Sequence, residues 1–89
     1  MRAQHILVST SKEAERIMAE LKSEAVSFSE AARSFSSCPS KRNNGDLGKF
    51  EKGQMVKEFE DACLKAKVGE FIGPVKTEFG YHIICVIEK

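Results

Sequence analysis

The two histidines of the 89-residue sequence occupy equivalent positions in two apolar segments. His5 lies in "QHILV" near the N-terminus, and His82 lies in "FGYHIICV" near the C-terminus. A buried polar group without a hydrogen-bond partner costs ~1–3 kcal/mol, and a neutral imidazole has one donor nitrogen and one acceptor nitrogen. Two neighbouring histidines can therefore satisfy each other. The pattern predicts a histidine pair that is either a structural element of the core or part of an active site.

The three cysteines add further candidate chemistry. Cys38 lies in the polar segment "SSCPSKRNN" and could serve as a nucleophile beside a histidine. Cys63 and Cys85 fall on apolar faces of predicted elements, which is typical of inert core thiols. A zinc site would need histidines and cysteines together, yet the sequence contains no CxxC or HxxxH pair. We therefore expect no metal site.

Strands at the two ends of the sequence must bring the histidines together. Residues 3–8 and the C-terminal segment are apolar and rich in β-branched side chains, which predicts strands. Because side chains alternate along a strand, His5 shares a face with Ala3 and Leu7. If the first and last strands pair at the centre of a sheet, the imidazoles of His5 and His82 become neighbours.

Helical patterns lie between these strands. The segments "STSKEAERIMAELKSEA" (9–25), "SFSEAARSFS" (27–36) and "VKEFEDACLKAK" (56–67) repeat apolar residues every three or four positions. Serine or threonine residues at the start of the first two segments can cap their helices. "LGKF" (47–50) predicts a short strand. Together these elements predict an α+β fold with a mostly antiparallel sheet.

Composition excludes several classes of function. The chain has 14 basic residues, 13 acidic residues and a net charge of +1, which gives no electrostatic footprint for nucleic acid or a membrane surface. No apolar run approaches the roughly 20 residues of a membrane span. Three scattered cysteines suggest a reducing, intracellular compartment, the cytoplasm or, after removal of a targeting segment, a plastid or mitochondrial matrix. We expect one monomeric domain over residues 1–89, either a whole protein or part of a longer chain.

Three segments in order resemble the parvulin peptidyl-prolyl cis/trans isomerases. They are "QHILV", "FSSCPSKRNNGDLGKFEKGQMVKEFEDA" and "VGEFIGPVKTEFGYHII", and the resemblance extends from His5 to Val86. It implies a four-stranded antiparallel sheet wrapped by three to four helices, with the active site on the concave face of the sheet. It also implies an isomerase that acts without a cofactor on X–Pro bonds of polypeptides or unfolded protein segments.

The resemblance assigns roles to individual residues of this sequence. It places the catalytic set at His5, Cys38, Thr77 and His82. It places the proline pocket and the surrounding cleft at Leu47, Met55, Val56, Phe59 and Phe79. Some members carry aspartate in place of the loop thiol, which favours electrostatic or hydrogen-bonding help from Cys38 over covalent attack.

Two features bear on specificity and on competing functions. The segment "STSKE" between the first strand and the first helix lacks the basic cluster of the phosphate-directed members, so we expect no preference for phosphate before proline. Lys41 and Arg42, in the loop that contains Cys38, are interpreted as solvated charges, with contact to an acidic group of the substrate as the alternative. The first alternative to an isomerase is a non-catalytic polypeptide-binding module of a larger chaperone. A thiol enzyme built on Cys38 is the second.

Overall fold

Four strands and three helices form the part of the chain that a computed structural model describes, namely residues 1–37, 45–51 and 53–88. In chain order they are β1 (Arg2–Val8), α1 (Ser11–Lys22), α2 (Phe28–Phe35), β2 (Asp46–Lys49), α3 (Lys57–Lys65), β3 (Phe71–Thr77) and β4 (Gly80–Glu88). The predicted α+β fold with its antiparallel sheet is confirmed. Cys38, Pro39, Lys41 and Arg42 lie outside the described residues.

The sheet has the strand order β2-β1-β4-β3, and all its pairings are antiparallel. The first and last strands therefore form its central pair, which meets the condition under which the two imidazoles become neighbours. Their register places His5 opposite Ile84 and Leu7 opposite His82. β3 lies at one edge of the sheet, and a two-residue turn joins it to β4. This position suits Pro74, because proline has no backbone N–H to donate within a sheet.

Helices cover both faces of the sheet, and the alternation along β1 and β4 decides which residues each face buries. On one face Ile6, Val8 and Ile83 pack against α1 and α2. On the other face Ala3, Ile84 and Val86 pack against side chains that include Phe59 and Cys63 of α3. Both histidines belong to this second face, which is therefore the face that carries the candidate site.

Local signals in the sequence explain where the helices begin and end. The Thr10 hydroxyl accepts the Glu13 N–H at 3.2 Å before α1, and the Ser27 hydroxyl accepts the Glu30 N–H at 3.1 Å before α2. These caps agree with the prediction. α1 ends at Lys22, three residues earlier than its apolar pattern suggested. No helix within residues 1–37, 45–51 and 53–88 is both long and apolar enough to cross a membrane.

One predicted core thiol differs from expectation. Cys63 is fully buried, as predicted, but Cys85 is only half-buried. Cys85 pairs with Gln4 of β1 and Phe71 of β3, and it lies outside both buried clusters of the sheet. Partial burial still raises the pKa of the Cys85 thiol, which keeps it protonated and unreactive near neutral pH.

Candidate active site

The two histidines form a direct pair on the floor of the site. Each histidine is about 4% exposed, and the two Nδ1 atoms lie 3.0 Å apart, which is hydrogen-bonding distance. The register explains the contact, because His5 lies opposite Ile84 and His82 is two residues away on the same face. Such diagonal neighbours are within reach of long side chains. The structure therefore brings together the two residues that the sequence singled out.

Thr77 extends the pair into a chain of three side chains. Its Oγ1 lies 2.7 Å from His82 Nε2 and accepts the Phe79 N–H at 3.2 Å. If the hydroxyl donates to His82 Nε2, then His82 carries its proton on Nδ1 and donates it to His5 Nδ1. The opposite arrangement starts from a proton on His5 Nδ1 and ends on the Thr77 oxygen. In either direction, hydrogen bonds fix the orientation of both rings.

Burial keeps both imidazoles neutral at physiological pH. It lowers the pKa of His5 from 6.5 to about 4, and the neighbouring His82 adds to the effect. Burial also lowers the pKa of His82. At least one ring must be neutral for an N–H···N bond between two imidazoles, since two imidazolium ions would offer only donors. The electrostatic state and the geometry of the pair are thus consistent with each other.

Acidification is expected to destabilise the protein because His5 must be neutral in the folded state. His5 binds a proton with a pKa near 6.5 in the unfolded chain and with a pKa of about 4 in the folded chain. The stability that neutral His5 contributes is therefore fully present above pH 6.5 and is lost as the pH falls toward 4. The free energy of unfolding should fall by up to ~1.4 kcal/mol per pH unit in this window. Urea unfolding at pH 7, 6, 5 and 4.5 measures it.

A His5→Asn variant is the control for this pH dependence. It lacks the titrating imidazole, so its free energy of unfolding should depend less on pH between 6.5 and 4. Asp46 contributes at lower pH, because its hydrogen bond to Arg2 holds the pKa of that carboxyl below 3.8. Equal slopes for the variant and the wild type would show that His5 is not held neutral by the fold.

Phe59 of α3 packs against both imidazoles from the helix side. Its ring meets His5 edge-on at a centroid distance of 5.7 Å and meets His82 edge-on at 5.5 Å. Its third aromatic neighbour is Phe50, at 6.2 Å. Phe59 is 1% exposed, so it closes the floor of the site and anchors α3 to the sheet at the same time.

A mostly apolar cleft of about 500 Å³ opens above this floor. The described residues that form its walls are His5, Leu7, Ser37, Leu47, Gln54, Met55, Val56, Phe59, Phe79 and His82. All five predicted cleft residues are in this set. Thr77 stands behind the wall and reaches the cleft through His82. The predicted position of Cys38 is outside the described residues, although Ser37 beside it lines the cleft.

Gly45 lies directly before β2 and holds the start of that strand close to His5. The Gly45 carbonyl accepts the His5 N–H at 2.9 Å. Gly45 has a φ of +82°, and a Cβ there would lie 2.5 Å from the His5 carbonyl oxygen. Glycine is therefore required for this close approach. Asp46 then pairs with Arg2 and accepts the Gly48 N–H at 2.8 Å, which fixes the short strand that carries Leu47.

Phe79 forms an exposed aromatic wall at the tip of the β3–β4 turn. Phe79 is 64% exposed, and its backbone N–H donates to Thr77 Oγ1. The next residue, Gly80, has a φ of +138°, and a Cβ there would lie 2.6 Å from the Val8 carbonyl oxygen. The turn thus lies directly against β1, which places Phe79 at the edge of the cleft.

Of the wall residues that the structure describes, three were not predicted from the sequence. Leu7 was recognised only as a face-mate of His5, although that placement is enough to put it in the cleft. Ser37 and Gln54 are polar neighbours of predicted site residues and carried no signal of their own.

Among the described residues, no cluster of three or more histidine, cysteine or acidic side chains is placed to hold a metal ion.

Comparison with known proteins finds one family and several similar structures. Residues 5–88 match the family profile described as rotamase, the PPIC-type PPIase domain. The chain is 51% identical over 90 residues to the foldase protein PrsA of Geobacillus kaustophilus. It superposes on the crystal structure of PrsA from Bacillus subtilis with a TM-score of 0.94 and 43% identity over 100% of this chain. The solution structure of NmPin, the parvuline of Nitrosopumilus maritimus, gives a TM-score of 0.83 with 50% identity.

The extent of these matches differs between the relatives. The chain covers 32% of the Geobacillus kaustophilus protein and 35% of the Bacillus subtilis structure. It therefore spans about a third of the PrsA relatives that it matches. NmPin is comparable in size, because the alignment covers 96% of this chain and 91% of that one.

Proposed function

Because this chain belongs to the family of PPIC-type peptidyl-prolyl isomerase domains, we propose that it accelerates cis–trans rotation about X–Pro bonds in polypeptides and thereby assists protein folding. The observation that carries the proposal is the apolar cleft above a floor of two neutral, hydrogen-bonded histidines. Leu47, Met55 and Phe59 offer a slot for a pyrrolidine ring. No bond is broken in this reaction, and the described residues supply binding and shape.

The barrier to be lowered is that of amide rotation. It is ~20 kcal/mol, because the partial double bond of the peptide must be lost in the twisted state. A site accelerates rotation only if it binds the twisted state more tightly than the planar states. The slot holds the proline ring while the preceding carbonyl turns, and the dry wall disfavours the more polar planar amide.

We assign the histidine pair a positioning role in this scheme. His5 and His82 are almost fully buried, and their polar atoms are engaged with each other and with Thr77. A neutral imidazole with a pKa near 4 is a poor general base, and amide rotation transfers no proton. The pair instead fixes the floor against which Phe59 packs. Cys38 remains a candidate for direct contact with the substrate.

We further propose that the domain does not require phosphate before proline. The described part of the cleft wall contains no lysine or arginine. Lys12 and Arg16 belong to α1, where Glu13 lies with them around a separate, open depression. A dianionic phosphate needs paired cationic donors, and the described residues of the cleft do not offer them.

A peptide panel tests both parts of this proposal. Tetrapeptides with leucine, glutamate or phosphoserine before proline should all be compared by the rate of cis–trans exchange, measured by NMR at equilibrium. We expect clear acceleration of the leucine peptide over the uncatalysed rate and no gain for the phosphopeptide. A preference for phosphoserine of tenfold or more would refute phosphate independence. Binding of the leucine peptide without acceleration would refute isomerase activity.

A second candidate function follows from the length of the relatives. The PrsA proteins are called foldases, and this chain corresponds to about a third of one. A non-catalytic module that holds proline-containing segments inside a larger chaperone would use the same apolar cleft. It predicts that the leucine peptide binds and shifts the NMR signals of cleft residues while its exchange rate stays at the uncatalysed value.

We also propose a reducing, intracellular compartment as the site of action. The support is the sequence itself, in which three cysteines are scattered at positions 38, 63 and 85. Cys63 is fully buried in the core, where it packs as a small apolar side chain. A disulfide detected by mass spectrometry in the protein isolated from its native cells without reductant would contradict this proposal.

A further inference from the structure

The side chain of Gln54 is locked by the turn that precedes α3. Its Oε1 accepts the Glu51 N–H at 2.6 Å, and its own backbone N–H donates to the Glu51 carbonyl at 3.1 Å. The same turn is fixed a second time by the Gly53 N–H, which donates to Glu60 Oε1 of α3 at 3.0 Å. Gln54 is exposed, yet these bonds give its amide one orientation.

The hydrogen bond to Glu51 also decides which end of the amide faces outward. A backbone N–H needs an acceptor, so the oxygen of the Gln54 amide must face Glu51. The NH₂ group then points away from that bond and presents two donors. An exposed glutamine would ordinarily sample many rotamers, and binding would have to restrict them. In this turn much of the restriction is already present in the folded protein.

Gln54 stands between two depressions of the surface. On one side it lines the proline cleft beside Met55 and Val56. On the other side it lines a smaller depression of about 360 Å³, whose remaining walls are Met1, Lys49, Phe50 and Glu51. A polypeptide that leaves the cleft in this direction must cross Gln54 before it reaches the second depression.

We propose that Gln54 binds the backbone of the polypeptide where it leaves the proline cleft, and that the depression beyond it is a subsite for the residues flanking the proline. This inference rests on the proposed isomerase function. The ligand class is an extended peptide, since an amide NH₂ group is a donor to a peptide carbonyl. The walls of the subsite combine the cation of Lys49, the carboxylate of Glu51 and the ring of Phe50, so it accepts varied side chains.

The position of Gln54 predicts which kinetic constant it controls. Rotation about an X–Pro bond requires one side of the peptide to be held while the other turns. A carbonyl beyond the proline pocket keeps the same contact in the planar and the twisted states, so its binding is uniform. Loss of uniform binding raises KM and leaves kcat unchanged. The effect is largest for peptides that extend past Gln54 into the second depression.

Two variants separate this role from a structural one. Gln54→Ala removes the donor and the acceptor, whereas Gln54→Glu keeps an oxygen for the Glu51 N–H and removes the NH₂ donors. Both are assayed with an uncharged, capped X–Pro dipeptide and with an uncharged octapeptide that has proline at its centre. For the octapeptide we expect KM to rise roughly threefold to tenfold in both variants with kcat unchanged, the loss expected for one neutral hydrogen bond.

The dipeptide and the melting temperature provide the decisive contrasts. For both variants, KM should rise clearly less for the dipeptide than for the octapeptide, and both variants should melt within a few degrees of the wild type. Wild-type kinetics of Gln54→Glu with the octapeptide would show that the side chain serves only the turn and would overturn the inference. An equal KM increase for both peptides would overturn it as well. Absence of acceleration by the wild-type protein would instead refute the proposed function.

Discussion

Replacement of Phe59 by alanine is expected to cost about 3–5 kcal/mol of the free energy of unfolding, the largest loss from any single cleft residue. Phe59 is 1% exposed and touches His5, His82 and Phe50 through its ring. Its removal leaves a cavity between α3 and the sheet, and rigid backbone elements close such a cavity only in part. Domains of this length have a total stability of roughly 4–13 kcal/mol, so the variant is expected to be marginal.

Thermal unfolding followed by circular dichroism measures this effect. A loss of 3 kcal/mol or more lowers Tm by at least about 12 °C in a domain of this size. Phe59→Leu is the conservative comparison, because it fills most of the volume and removes only the edge-on contacts with the imidazoles. It should fall between the wild type and the alanine variant. A Phe59→Ala protein that melts with the wild type would contradict the assignment of Phe59 to the floor of the site.

Phe79→Ala provides the matched control within the same cleft. Phe79 is 64% exposed, so truncation should change the free energy of unfolding by less than about 0.5 kcal/mol. The same truncation removes an aromatic wall that the substrate would contact, so peptide affinity should fall. Two phenylalanines of one cleft would then separate stability from binding. Equal melting losses in both variants would show that the cleft is one rigid unit.

Periodicity and pairing rules predicted much of the framework that carries the site. The β-branched character of both ends of the sequence predicted β1 and β4, and alternation placed His5 and His82 on the apolar faces of their strands. Helical spacing predicted the burial of Ala14 and Ile17 in α1. These predictions succeeded because they depend on local backbone geometry. The ends of the elements were less accurate, as β2 at Asp46–Lys49 shows against the predicted 47–50.

The sequence predicted which types of residue form the site, but it could not predict how their atoms are arranged. A hydrogen bond between the histidines was expected, but its Nδ1–Nδ1 arrangement follows from the diagonal register of β1 and β4, which no local pattern encodes. The cleft residues came from the family resemblance. Gln54 was missed because its orientation depends on the Glu51 N–H, a backbone group that has no signature in sequence.

The second large loss of stability is expected from substitution within the histidine pair. His82→Ala takes one hydrogen-bond partner from His5 and one from Thr77, and it removes a ring that packs edge-on against Phe59. Loss of a partner costs about 1–3 kcal/mol for a buried group, so we expect the free energy of unfolding to fall by about 2–4 kcal/mol. Isomerase activity should fall too, because the floor of the cleft loses its shape.

A double-mutant cycle tests whether the two histidines act as one unit. His5→Ala, His82→Ala and the double variant are unfolded with urea at pH 7, where both imidazoles of the wild type are neutral. Because the second substitution removes a residue whose partner is already gone, the double variant should be more stable than additivity predicts, by roughly 0.5–3 kcal/mol. Thr77→Val completes the series, since it removes one end of the chain and leaves the bond between the two rings.

Activity measured on the same variants decides between scaffolding and direct action on the peptide. Each variant is assayed at a temperature at which it remains folded, so that loss of activity does not simply report unfolding. If the pair is a scaffold, the activity losses of His5→Ala and His82→Ala should be non-additive in parallel with their stability losses. Full stability combined with lost activity would mean that an imidazole contacts the rotating bond itself. The almost complete burial of both rings, and the engagement of each with a protein partner, favour the scaffold.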